Sequence, residues 1–223
     1  MPGSAAAALL EATELAFIAD DGTVTVYPPR PELVAMLTLF EAETGRVVRS
    51  MQRQLTMSAS RAALALDDRS RQRGVREEVV IDRRAVLSSP LATTVDPGLR
   101  VGSVPTPVML SDERLALLAV PPGRAPEGGC CWTVDPQLVR LALAAFLETW
   151  DAALPWQEAG LRPPLPERRF RVAVLLMDGH TDREIADELG ISTRTVSDEV
   201  RAVVDSLGAR SRSHAVAMLV GAA

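Results

Sequence analysis

From 179 to 200 the chain reads GHTDREIADELGISTRTVSDEV, and its chemistry is hydrogen bonding and charge rather than bond breaking. Thr181 with Glu184 three residues on makes a capping box, so a helix should start there. Ile185 and Leu189 share one face of that helix, and Ala186 is small where a second helix must come close. Gly190 can take the positive φ that ends the helix and makes the turn. Ile191 plugs the turn and Ser192 can cap the next helix. Two short helices around a sharp turn are the layout whose second helix lies in the major groove of DNA.

Around that run the spacing predicts the elements that must hold it. Val196, Val200, Val203 and Leu207 step by 4, 3 and 4, one apolar helix face. Gly208 stops that helix, and Ser211 can cap a last one with Ala215, Met218 and Leu219 inward. Upstream, Phe170, Val174 and Met177 predict a first helix closed at Gly179. These residues, with Glu184-Ile-Ala, Leu189-Gly-Ile-Ser, Arg194-Thr-Val and Leu207-Gly-Ala-Arg-Ser-Arg-Ser-His-Ala-Val, resemble the four-helix C-terminal helix-turn-helix of LuxR-type transcription regulators over roughly 167–221. The resemblance implies double-stranded DNA as partner. It places Thr193, Arg194 and Ser197 at base edges or phosphate, Arg201 on phosphate further along, and Thr181 on a phosphate at the first helix's N-terminus. Arg210 and Arg212 become further phosphate candidates. His214, Ala215 and Met218 fall on the last helix, where the family pairs two such domains.

Charge runs against a strong electrostatic grip. The 223-residue chain has a net charge of −5 and an isoelectric point near 5.2, where a dedicated DNA-binding protein usually carries a basic face. Every basic residue is arginine. Eight arginines stand against nine carboxylates from 167 to 223, a net charge near −1. The family's recognition helix has basic or neutral polar residues after Thr-Val, whereas this chain has Ser197, Asp198 and Glu199. Phosphate neutralisation supplies most non-specific affinity, so binding is expected to be weak or to depend on dimerisation. An acidic side chain can still accept from cytosine N4.

Other reactive residue types do not assemble into a catalytic set. Cys130 and Cys131 are adjacent, and neighbours on a strand point to opposite faces, so they read as structural cysteines. Asp67-Asp68 lacks the lysine and the preceding apolar strand of a phospho-acceptor pocket. Trp132, Phe146, Trp150 and Trp156 read as packing rather than a ligand box. No enzyme activity, cofactor or metal is expected. No run approaches the ~18 apolar residues of a membrane helix. The start has no basic n-region of a secretory leader, and the lack of a disulfide framework fits a reducing cytoplasm.

The rest of the chain predicts a multi-domain α+β protein. An Ala-rich helix over 4–19, a turn at 20–22 and a strand over 23–27 predict a segment at 1–28 that resembles the tail of the winged helix opening TrmB-like regulators with a LuxR-type C-terminus. It has no arginine in its helix and reads as a packing remnant. Residues 29–68 predict a long dimerisation helix: Leu33, Leu37, Phe40, Thr44, Val47 and Met51 step by 4, 3, 4, 3 and 4, a heptad seam for a homodimeric coiled coil. Gly45 should weaken that helix by about 1 kcal/mol. Packing on the chain's own α/β domain is the alternative. Residues 69–154 alternate strand-like runs and turn signals, a small α/β domain closed by a helix opened at Asp135-Pro136. Its pattern resembles the middle domain of TrmB-like regulators, a relative of phospholipase-D-type folds. Those enzymes need a histidine and a lysine two residues apart. The chain has no lysine, and its two histidines, His180 and His214, lie in the helix-turn-helix, so the domain should sense an unknown small-molecule or protein effector at most. A Pro-rich linker over 155–166 should separate it from the helix-turn-helix at 167–223. The expectation is a cytoplasmic, homodimeric regulator reading operator DNA. The alternative is a degenerate helix-turn-helix that modulates a DNA-binding partner or RNA polymerase.

Overall fold

A computed structural model describes residues 4–27, 32–53, 61–87, 89–124 and 129–220. Helix α1 (Ser4–Ala19), strand β1 (Thr25–Tyr27), helix α2 (Glu32–Glu43), strand β2 (Val47–Gln52), helix α3 (Arg61–Gln72) and strand β3 (Arg76–Asp82) come first. Short helices α4 (Arg83–Leu87) and α5 (Ala92–Val95) lead to strands β4 (Arg100–Gly102), β5 (Val108–Ser111), β6 (Leu115–Ala119) and β7 (Cys130–Thr133). Helix α6 (Pro136–Ala152), strand β8 (Leu154–Pro155) and four helices, α7 (Glu167–Met177), α8 (Asp182–Leu189), α9 (Thr193–Leu207) and α10 (Arg212–Leu219), complete the chain.

Among the described residues, eight strands form one sheet in the order β1-β7-β6-β5-β2-β3-β4-β8. β3 runs parallel to both β2 and β4, and the other pairings are antiparallel. Successive side chains of a strand face opposite ways, and here both faces are covered. Ala116 and Leu118 of β6 join Met51, Val80, Leu110 and Phe146 in the core under α1 and α6. Leu115 and Leu117 join Met36 and Phe40 of α2 on the other face. β6 therefore reads as a continuous apolar run rather than an alternating one. Asp135 starts α6 by accepting from the amides of Gln137 and Leu138, both at 2.9 Å, with Pro136 in the first turn.

The long helix expected over 29–68 is not formed. α2 ends at Glu43 and the chain turns into β2, which pairs with β3 and β5. The turn is held by a distant carboxylate. Asp112 accepts from the amides of Gly45, Arg46 and Val47 at 2.8, 2.9 and 2.8 Å. Burial raises the cost of its charge, yet the three amides outweigh that cost and hold its pKa below the ordinary aspartate value. Asp112 and Glu113 both take positive φ, 50° and 60°, as the central residues of a turn between β5 and β6 in which the Arg114 amide donates to the Ser111 carbonyl at 3.0 Å. The heptad seam is thus split between two elements. Leu37 is half-buried, while Phe40, Val47 and Met51 are 3%, 6% and 0% exposed inside this chain, so they are closed to a coiled-coil partner. Leu33 lies in α2, but its side chain falls outside the described residues.

β1 pairs with β7 and α1 packs against α6, so the N-terminal segment forms a packed layer on the sheet. Residues 155–166, expected as an extended, semi-rigid linker, are held against the sheet layer. Pro155 pairs with Arg100 in the sheet, Trp156 Nε1 donates to the Pro97 carbonyl at 2.9 Å, and Trp156, Ala159 and Leu161 pack on the cluster around Ile81 and Leu99.

Candidate nucleic-acid interface

The C-terminal bundle forms from local signals. Thr181 and Glu184 make the reciprocal capping box: the Glu184 carboxylate accepts from the Thr181 amide at 2.7 Å, and Thr181 Oγ1 accepts from the Glu184 amide at 3.4 Å. The Thr181 amide bond, and then the hydroxyl bond, hold the Glu184 carboxyl below its usual range. Gly190 takes φ 64° and closes α8. Ser192 Oγ accepts from the Thr195 amide at 3.1 Å, Gly208 takes φ 66°, and Ser211 caps α10 through the His214 amide at 3.1 Å. Ile185, Val196, Val203 and Ala215 are wholly buried, and Val172, Leu176, Leu207 and Leu219 fill the rest of the core.

What α9 leaves outside is the candidate interface. Thr193, Arg194, Ser197, Asp198, Arg201 and Asp205 are exposed, whereas Val196, Glu199, Val200 and Val203 face inward. Arg194 makes no ion pair among the described residues and keeps its donors available. Ser197 Oγ donates to Asp182 at 2.9 Å, leaving its acceptor lone pairs outward. Arg201 stands 3.5 Å from the Asp198 carboxylate in an exposed pair, which contributes little. Thr181 is exposed, but its hydroxyl is engaged with Glu184 at 2.8 Å. Arg210 is exposed, with its amide donating to His214 Nδ1 at 3.1 Å.

Arg212 is half-buried, pairs with Asp182 and donates to the His180 carbonyl at 2.8 Å. Asp182 also accepts from Ser197 and so links α8, α9 and α10. Burial opposes the Asp182 charge, but the Arg212 and Ser197 bonds prevail and keep its pKa low. On the pairing helix, Ala215 is wholly buried, while His214 and Met218 are half-buried, with Met218 packed on the bundle core.

Glu199 looks from sequence like an acid pointed at phosphate. The structure turns it toward α7, 8% exposed, where Arg168 Nε and Arg169 Nε donate to its two oxygens at 2.8 and 3.1 Å. Desolvation works against its charge and the two arginines overcome it, so its pKa lies below the ordinary value of 4.5. Periodicity carries the missing signal: Glu199 falls three residues after Val196 and four before Val203, on the inward face. A depressed folded pKa contributes stability above the unfolded pKa that is lost as pH falls through the folded value. Glu199→Gln is expected to lower bundle stability at neutral pH by about 1–2 kcal/mol. Thermal melts should show that difference closing as pH is taken below 4.5.

The bundle is docked on the sheet layer. Leu91, 1% exposed, sits in the bundle's own core cluster. Thr93 Oγ1 donates to the Arg162 carbonyl at 2.9 Å, and the Leu165 amide donates to Thr94 Oγ1 at 3.0 Å. Arg162 in turn donates to the Ser206 carbonyl at 2.5 Å, placing a cation at the C-terminal end of α9, where the helix dipole favours one.

Cys131 lies in the core under α6 while Cys130 packs on the opposite face. Burial pushes the Cys131 thiol up to about 11 and raises that of Cys130 as well, so neither is a ready thiolate. Among the described residues no three His, Cys, Asp or Glu side chains are grouped to hold a metal ion, and no helix is long and apolar enough to cross a membrane.

No curated protein matches this chain. Among solved structures it is similar to TrmBL2, described as an archaeal chromatin protein with a novel mode of DNA binding, at TM-score 0.47 and 16% identity over 67% of this chain and 61% of that one. This chain thus spans under two thirds of TrmBL2. It is also similar to Nuc from Salmonella typhimurium, a phospholipase D family member (TM-score 0.44, 19% identity, 59% of this chain and 96% of that one), and to NucT from Helicobacter pylori (TM-score 0.43, 12% identity, 59% and 98%). Residues 163–219 match the family model of bacterial regulatory proteins, luxR family, and this C-terminal segment carries the helix-turn-helix of that family.

Proposed function

We propose that the chain is a cytoplasmic transcription regulator that binds operator DNA as a homodimer, laying α9 in the major groove. The observation that carries this reading is the open face of α9. Thr193, Arg194, Ser197 and Arg201 stand outward on a helix whose other side is fixed by core packing and by the Glu199 and Asp182 pairs. Thr193, Arg194 and Ser197 address base edges or nearby phosphate. Arg201, Arg210 and the N-terminal end of α8 at Thr181 address phosphates, and exposed Arg183 beside Thr181 joins them. Arg212 acts through Asp182, holding α8 against α9. The sheet layer, docked through Leu91 and Arg162, is the part that would answer an effector. Selection of genomic fragments on the full chain, followed by gel retardation at low and moderate salt, tests the reading. A selected fragment should be retarded ahead of a scrambled one, and more strongly at low salt. No selective retardation even at low salt sinks it.

A second reading is favoured by one observation. Arg201 is partnered by Asp198, and Asp205 is exposed beside them, so the groove-facing surface is close to neutral. In that reading the bundle docks on a DNA-binding protein or RNA polymerase instead. Retention of such a partner on the immobilised chain, with no footprint by the chain alone, is the result that would favour it.

A further inference from the structure

Of the coiled-coil seam, Phe40, Thr44, Val47 and Met51 are buried, and the face of α2 opposite Phe40 is not. Leu39 projects outward, 56% exposed, across a groove of about 520 Å³ from Val134, itself 63% exposed. Leu115 and Trp132 line the floor of the groove between them. Apart from Ser111 the floor is apolar, and the rim carries one acid and one base, Glu43 and Arg114. Glu43 makes no ion pair among the described residues. Arg114 donates to the Glu43 carbonyl at 3.2 Å and stands 3.8 Å from Asp112. The Asp112 oxygens are already taken by three backbone amides. The Arg114 guanidinium, 66% exposed, therefore keeps donors facing outward.

A patch with an apolar centre and one charge of each sign at its edge is self-complementary under a two-fold axis. A C2 interface sets the same patch against itself, so the acid of one copy meets the base of the other. A foreign partner would need to supply both signs in mirrored positions; a second copy does so by symmetry.

We propose that a second copy of this chain docks on the groove between α2 and β7, each Leu39 entering the other's groove and Glu43 of each copy pairing with Arg114 of the other. This rests on the dimeric reading above and assigns its surface. The pairing would leave the recognition face of α9 unoccupied, since none of the groove's residues belongs to the C-terminal bundle.

The test is sedimentation equilibrium of the full chain without DNA, across a range of concentrations. The wild-type chain should dimerise. Leu39→Glu should weaken the dimer about tenfold or more, with an unchanged circular dichroism spectrum because the side chain is already largely in water. Glu43→Arg should weaken it through like-charge contact with Arg114, and adding Arg114→Glu should restore it. A chain that stays monomeric at every concentration overturns the proposal, as does a Leu39→Glu dimer of wild-type strength. A dimer broken by Met218→Glu and untouched by Leu39→Glu overturns it by assigning the interface to α10. A monomer that still retards its selected fragment removes this docking alone, whereas a groove-dependent dimer that retards nothing removes the DNA reading alone.

Discussion

Asp112→Ala is expected to destabilise the chain by about 3–5 kcal/mol in chemical denaturation, the largest single-residue loss outside the apolar core. Three amides, those of Gly45, Arg46 and Val47, lose their acceptor at once, and Asp112 is only 6% exposed, so water does not freely replace it. Asp112→Asn keeps one carbonyl oxygen and should fall between. Asp112→Gly separates backbone from side chain. Glycine relieves the positive φ of 50° but removes the acceptor. If hydrogen bonding dominates, the glycine variant stays well below the asparagine variant; a glycine variant as stable as wild type would show that strain dominates. The pH dependence has a definite sign. Because the folded pKa lies below the ordinary 3.8, this stabilisation is present above that value and is lost as pH falls through the folded one. The gap between wild type and Asp112→Asn should therefore close in acid.

Arg194→Ala is expected to weaken binding to a selected fragment by about 1–3 kcal/mol, roughly five- to 150-fold, with an unchanged melting temperature. Arg194 is exposed near the N-terminus of α9 and makes no ion pair among the described residues, so its removal leaves the bundle intact. If it contacts a base, selectivity relaxes at one position. If it contacts phosphate, affinity falls evenly across sequences and the salt dependence becomes shallower by about one charge. Arg212→Ala should behave differently. Losing the Asp182 pair loosens α8 against α9 and α10, so binding and stability fall together.

These contrasts show what the sequence could and could not disclose. The bundle was legible because its determinants are local: the capping box of Thr181 and Glu184, the positive φ of Gly190 and Gly208, and an apolar stripe repeating within each helix. The strands from β3 to β7 were legible too, since turn residues bracket short apolar runs. The stretch from Leu33 to Met51 was not. Its apolar spacing crosses from α2 into β2, and what ends the helix is a carboxylate more than sixty residues downstream together with strand partners on either side. Gly45 is the local trace of that stop; as a helix-interior residue it looked like a small penalty, and in the fold it begins the turn that Asp112 caps. The linker was misjudged for a related reason. The prolines of 155–166 signal an extended stretch, but 156–160 fold into a turn in which the Ala159 amide donates to the Pro155 carbonyl at 3.0 Å, Pro155 pairs with β4, and the Leu165 amide reaches Thr94. In the helix-turn-helix, side chains about thirty residues apart set the geometry: Arg168 and Arg169 take Glu199 inward, and Arg212 pairs with Asp182.

The acidic character of the module therefore reads differently in the fold. Glu199 and Asp182 are neutralised internally, which removes two repulsive charges from the groove side but also engages Arg168, Arg169 and Arg212. Arg183, Arg194, and Arg210 beside the turn into α10, are left to carry attraction, with Arg201 partly offset by Asp198. On the proposed dimeric reading, two weak contacts on one duplex would reinforce each other through effective concentration.

The most direct test is a fluorescence-anisotropy titration of the full chain on its best selected fragment and on a scrambled one, for wild type and Arg194→Ala, at two salt concentrations. The account predicts preference for the selected fragment, weakening as salt rises, and loss of affinity in Arg194→Ala with folding intact. Equal, salt-insensitive curves for both fragments and both proteins would contradict it.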